Sequence, residues 1–183
     1  KEDVFLVIQS NGYLSPGEVK VDIDDFFNFF VTDLQFRTSK KRVLHFQEFL
    51  RFLKKVNDLD LVDGISYIVV DGSYCSGKKE PDDMDIFLYY DVASDAQVAL
   101  EFQIDLNKRK LKNDGIDILS FHDFTRVPSI KLDLTKQRLD LLTRQRFESY
   151  YSVSKDNVPK GHVVISKEDL MIRREQDVVS TIA

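Results

Sequence analysis

The chain has 183 residues, 43% hydrophobic and 31% charged, with a formal net charge of −5. That length suits one domain able to bury about 70% of the surface its unfolded form exposes, and that balance excludes a disordered chain. The negative charge argues against general nucleic-acid binding, and the longest apolar runs fall far short of a membrane span.

The opening "KEDVFLVIQSNG" has too short an apolar core for a signal peptide. The single cysteine, Cys75, excludes an internal disulfide and fits a reducing, cytoplasmic setting. "GYLSPGEVKVDIDDFFNFFV" predicts a turn at Pro16-Gly17, a strand over 19–23 and a short aromatic helix. "TSKKRVLHFQEFLRFLKKVN" predicts a helix capped by Ser39, with Val43, Leu44, Phe46, Phe49, Leu50, Phe52, Leu53 and Val56 on its buried face.

"ISYIVVD" is an apolar, β-branched run of strand length, and "MDIFLYYD" predicts a second strand. "SDAQVALEFQIDLNKRKLKND" reads as a helix capped by Ser94 or Asp95, with basic residues where the helix dipole favours them. A third strand follows in "GIDILSF", a helix in "LTKQRLDLLTRQRFESYY" and a strand in "KGHVVIS". The tail "KEDLMIRREQDVVSTIA" predicts a short helix. The order gives a mixed α+β (α/β) fold on a small sheet.

Two phosphate-handling patterns overlap between the first two long strands. Gly72 followed by Gly77-Lys78 approaches a P-loop, but Lys79 stands where a magnesium-binding Ser or Thr belongs. Pro81 and the acidic pair after it also prevent the helix whose N-terminus would receive phosphate. The second pattern fits better. Asp83 and Asp85 are two apart at the head of a strand, so both side chains face one way. Two carboxylates about 4 Å apart repel by ~4 kcal/mol in a protein-surface dielectric, so a cation between them is the natural reason to keep both. All-oxygen donors suit Mg²⁺ or Mn²⁺ and not zinc. Asp117 in "GIDILSF" is the candidate third carboxylate, with Asp105 and Asp114 as alternatives. Gly72-Ser73 can bring bare backbone N–H groups to a phosphate chain.

"VVDGSYCSGKKEPDDMDIFLYY" resembles the nucleotidyltransferase signature of the DNA polymerase β-like superfamily: Gly-Ser, a spacer, then Asp-x-Asp between apolar residues. Gly72 precedes Asp83 by 11 positions, within that family's habit. Together with "YLSPGEVKVDIDDFFNFFV" and "NVPKGHVVI", it is also similar to small bacterial nucleotidyltransferase-like proteins, some encoded beside toxin–antitoxin or phage-defence genes. The resemblance implies a minimal nucleotidyltransferase fold, a short mixed sheet with helices packed on one side. It implies one such domain over residues 1–183, with its core at about 38–152 and the two ends packed on it as extensions. It implies that Asp83, Asp85 and Asp117 hold metal and that Gly72, Ser73 and Lys78 bind an NTP. The acceptor would be a hydroxyl of a protein, an RNA or a small molecule, and a partner protein could come from the same operon. Superfamily enzymes with long substrates usually carry a further helical domain, and only about 65 residues follow Asp117.

A second class of function stays open, a catalytically silent module that binds nucleotide or a partner as antitoxin, sensor or scaffold. A nuclease-like use of the same metals is a third. Among the remaining residues, Lys78 and Lys79 read first as solvated loop charges, Cys75 as a passive thiol, His45 as a boundary residue and His162 as structural. His122, just past the third long strand, could reach the site. The basic run over 107–114 is a solvated helix end that could also guide an acceptor. The phenylalanine clusters, Phe26/27/29/30 and Phe46/49/52, belong in the core.

Overall fold

The computed structural model describes residues 6–124 and 134–171. Five strands form one mixed sheet in the order β1-β5-β2-β3-β4. They are β1 (Gly17–Lys20), β2 (Ile65–Asp71), β3 (Met84–Asp91), β4 (Ile116–Asp123) and β5 (Gly161–Ser166). β2 pairs antiparallel with β3 and β5, whereas β1–β5 and β3–β4 are parallel pairs. The helices are α1 (Ile23–Phe27), α2 (Lys40–Asp58), α3 (Gln97–Asn113), α4 (Leu134–Ser152) and α5 (Lys167–Met171). No described helix is long and apolar enough to cross a membrane.

The local chemistry explains most of these elements. Ser39 caps α2 by accepting a hydrogen bond from the Arg42 N–H. Asp22 does the same for α1, which runs on as a π-helical turn over Asn28–Thr32. Ile23 therefore opens a helix where a strand residue was predicted. α3 has no side-chain cap; Ser94 and Asp95 lie in the turn before it.

Period-two alternation divides the sheet into two faces. Met84, Ile86, Leu88 and Tyr90 of β3 join Ile116 and Ile118 of β4 in the main core with residues of α1, α2 and α3. Phe87, Tyr89 and Phe121 point the other way, where Tyr151 from the last turn of α4 meets them. The Tyr89 and Tyr151 hydroxyls lie 2.7 Å apart. Of the phenylalanines predicted in the core, Phe26, Phe30, Phe46, Phe49 and Phe52 are buried, and Phe27 and Phe29 are half-buried against them.

Further expectations change. The helices do not all pack on one side of the sheet, since Tyr151 of α4 meets the face opposite α1, α2 and α3. Leu44 is 56% exposed, and Arg42 and His45 are buried on α2 in its stead. The sheet also extends beyond 38–152, because β5 sits between β1 and β2 as an interior strand and not as a packed extension. The segment over 172–183, the greater part of the tail predicted as a helix, lies outside the described residues.

Candidate metal centre

Strand register builds the site. Asp71 of β2 is paired with Asp85 of β3, and Asp85 with Asp117 of β4. Paired residues on neighbouring strands project to the same face, so the three form a row across the sheet. Asp83, two residues before Asp85, returns to that face at the lip of the strand. The row therefore lies on the side of the sheet away from α1, α2 and α3, at the end where β2 and β3 are joined by the loop over 72–83.

Asp83, Asp85 and Asp117 each offer a carboxylate oxygen within 4.8 Å of the others, and each residue is half-buried. Burial is the main influence on the Asp85 carboxyl, followed by the charges of Asp83, Asp71 and Asp117, and its pKa is pushed up to about 6. Three oxygen donors in mutual repulsion fit a hard divalent cation such as Mg²⁺ or Mn²⁺. Two lysines offset part of the charge. Lys112 Nζ is 2.7 Å from Asp117 Oδ2 with its side chain largely exposed, whereas Lys160 pairs with Asp71 in a largely buried contact.

The loop beside the row is fixed by glycine geometry and a buried arginine. Gly72 has φ +70°, in the left-handed region that disfavours side chains. A Cβ there would stand 2.9 Å from Asp85 Cγ and closer still to Oδ2, so the glycine also makes room for the carboxylate. Ser73 Oγ is buried with no hydrogen-bond partner among the described residues. Beyond it, the fully buried Arg42 donates to the carbonyls of Tyr74, Ser76 and Lys78 at 2.7–2.8 Å and to that of Phe30 at 3.3 Å. Its guanidinium lies 3.8 Å from the Phe36 ring centroid, and the Tyr74 hydroxyl donates back to the Arg42 carbonyl at 2.8 Å. One side chain from α2 thus sets the path of the loop. The residues after Lys79 form bends and no helix, so the P-loop alternative has no dipole to offer.

The structure brings Asp83, Asp85, Asp117 and Gly72 together, with Ser73 next in the chain. Lys78 is directed elsewhere, its ammonium 2.6 Å from Asp82 Oδ2 on the exposed loop, where Lys41 also approaches at 3.4 Å. Of the three candidates for the third carboxylate, Asp117 is the one whose oxygen converges with those of Asp83 and Asp85; Asp114 pairs with Lys110 at 2.6 Å and Asp105 is exposed on α3.

His122 does not reach the site. It lies five residues beyond Asp117 on β4, roughly 16 Å along the strand and on the opposite face. Its Nε2 is 3.4 Å from Glu101 and its ring 5.4 Å from that of Tyr90. His162 is buried with its ring 4.8 Å from that of Tyr151, a packing role. His45, read from sequence as a boundary residue, is buried against Gly115. Cys75 donates to the Val70 carbonyl at 3.3 Å, and burial raises its pKa far above the ordinary thiol range, so it supplies no nucleophile.

Three functional candidates escaped the sequence reading. Arg42 left a trace, because it stands one turn before Phe46 in the buried stripe of α2. Asp71 ended an apolar strand, but its place beside Asp85 depends on register. Lys160 lies 89 positions from Asp71, and nothing local announces the pair.

The chain belongs to DUF6932, a family of unknown function, whose profile matches residues 6–166. No curated protein and no solved structure matches the chain. The matched span contains the whole sheet, the acidic row, the Gly72 loop and Lys160.

Proposed function

We propose that the protein is a metal-dependent nucleotidyltransferase, moving a nucleoside monophosphate from an NTP to a hydroxyl of a protein, an RNA or a small molecule. The observation that carries this reading is the convergence of Asp83, Asp85 and Asp117 within 4.8 Å beside a glycine that only a bare backbone can satisfy. Asp83, Asp85 and Asp117 would hold Mg²⁺ or Mn²⁺, which when bound supplies Lewis-acid neutralisation of charge at the α-phosphate. Asp117, on the outer strand of the row, accepts the proton of the attacking hydroxyl. The attacking oxygen forms a bond to the α-phosphorus as the bond to the β-phosphate oxygen breaks, and pyrophosphate leaves with the electron pair. The Gly72 turn admits the phosphate chain close to the backbone, and Ser73 Oγ has an O–H to donate to it. A reducing compartment, the cytoplasm, accords with the free buried thiol of Cys75.

The test is transfer of label from each α-³²P NTP, with Mg²⁺, to protein and RNA fractions. Wild type should transfer, and Asp83→Asn and Asp85→Asn should not. Wild-type protein that shows no Mg²⁺-dependent NTP binding by calorimetry would defeat the proposal. Binding without transfer for all four NTPs, with a stoichiometric partner co-purifying from the native operon, would favour the silent module.

A further inference from the structure

Lys160 occupies an unusual position for a lysine. Its backbone is pinned from two sides, by its own N–H to the Ser152 carbonyl at 3.0 Å and by the Gly161 N–H to the Leu14 carbonyl at 2.9 Å. Gly161 packs so tightly against the Ser15 carbonyl that a Cβ would overlap it, which fixes the point where the Lys160 side chain leaves. That side chain is only 12% exposed and ends on Asp71 Oδ2. Asp71 is itself the β2 member of the acidic row, one strand from Asp85. The ammonium therefore stands at the β5 end of the acidic row, with Asp71 between it and the proposed metal ligands.

The corner around it is incompletely bonded. An ammonium has three N–H donors, and only the one to Asp71 is used among the described residues. Asp71 Oδ1 and Ser73 Oγ are both buried without a hydrogen-bond partner among the described residues. Buried polar atoms are nearly always satisfied. Of these groups, the Lys160 ammonium and the Ser73 hydroxyl are donors with spare capacity at the end of the sheet that carries the glycine turn, so they mark a place where an acceptor ligand completes the bonding. A cation, a hydroxyl and bare backbone are the donors that a polyphosphate requires.

We infer that Lys160 binds the leaving end of the nucleoside triphosphate, with Asp71 holding the ammonium in place between turnovers. The inference rests on the nucleotidyltransferase reading and gives the row a direction, with the metal ligands Asp83, Asp85 and Asp117 toward β4 and the leaving group toward β5. As the bond from the α-phosphorus to the bridging oxygen breaks, the charge gathered on pyrophosphate is met by Lys160. Lys78, tied to Asp82, has no such access.

Calorimetry with inorganic tripolyphosphate and Mg²⁺ tests this, with Mn²⁺ binding measured separately by electron paramagnetic resonance. Lys160→Met should weaken tripolyphosphate binding at least tenfold while Mn²⁺ affinity stays within threefold, and Lys160→Arg should recover part of the loss. Asp71→Asn, which releases the ammonium, should bind tripolyphosphate as well as wild type or better. A purely structural ion pair makes the opposite prediction, equal damage from either side. Should Lys160→Met fail to fold because Asp71 is left buried and uncompensated, the double variant Asp71→Asn/Lys160→Met is compared with Asp71→Asn alone. Equal tripolyphosphate binding by that pair, or by Lys160→Met and wild type, overturns the inference while retained Mn²⁺ binding leaves the metal site standing. Wild type that binds neither probe overturns both.

Discussion

Replacing Asp85 by asparagine should make the metal-free protein more stable. In the fold the Asp85 carboxyl has its pKa raised from an ordinary 3.8 to about 6 by burial and by Asp83, Asp71 and Asp117. The folded chain thus holds this proton more tightly than the unfolded chain does. Stability falls as pH rises through the window from about 4 to about 6, and the whole penalty is in force at neutral pH. At 1.36 kcal/mol per pH unit it amounts to about 3 kcal/mol. Asparagine keeps the shape and never ionises. For a chain of this length 1 kcal/mol shifts the melting temperature by roughly 2–4 °C, so Asp85→Asn should melt about 6–12 °C higher at pH 7.5 in EDTA. The advantage should shrink toward nil as pH approaches 4. Mn²⁺ should close and then reverse the gap, since a cation present at a thousand times its Kd adds about 4.1 kcal/mol to the form that binds it. Circular dichroism melts at both pH values, with and without Mn²⁺, read all of this. A variant that melts no higher than wild type at pH 7.5 in EDTA would refute the claim that burial and the neighbouring carboxylates disfavour the ionised Asp85.

Gly72→Ala meets a positive φ and the Asp85 carboxylate together. It should lose about 1–3 kcal/mol in chemical denaturation and most Mn²⁺ affinity, because Asp85 must move. Arg42→Met leaves four buried carbonyls without their donor and should cost about 3–5 kcal/mol in urea unfolding. Lys112→Gln should leave the melting curve essentially unchanged, as expected for an exposed pair, yet tighten Mn²⁺ binding two- to five-fold by freeing Asp117. Mn²⁺ affinity of wild type should fall as pH drops below about 6, where Asp85 takes up its proton; a flat profile from pH 7.5 to 5 would speak against Asp85 as a ligand.

The extent of β2 and β3 was legible residue by residue, because a buried strand needs a continuous apolar run and turn residues bound each one. The Asp83–Asp85 pair was legible for the same reason, since two polar residues at period two against that background have few structural uses. What stayed hidden depends on chain segments remote in sequence. Asp71 becomes a neighbour of Asp85 only through the antiparallel register of β2 and β3, and Lys160 joins it only because β5 enters the sheet beside β2. Arg42 was masked by a general habit of helices, in which arginine belongs on the wet face. Here the Phe36 and Tyr74 rings lie against it and four carbonyls accept from its two terminal nitrogens, so much of the usual penalty for burial is offset. His122 failed as a candidate for a reason that counting supplies: an odd separation from Asp117 on one strand sends the two side chains to opposite faces.

Under the proposed reaction, the direction of the row would constrain where an acceptor can enter. In-line displacement requires the attacking oxygen and the leaving oxygen on opposite sides of the phosphorus. With pyrophosphate received at Lys160, beside β5, the hydroxyl must arrive over Asp117 and β4, which is an outer strand of the described sheet. At that edge the exposed Lys112, from the C-terminal end of α3, reaches the row, although the chain as a whole is acidic. Net charge alone argues against a polyanionic acceptor, whereas the field at the mouth of the site is the quantity that steers an incoming group. Lys112 lies on Asp117 itself, so an approaching hydroxyl must move that ammonium aside to reach the carboxylate that takes its proton.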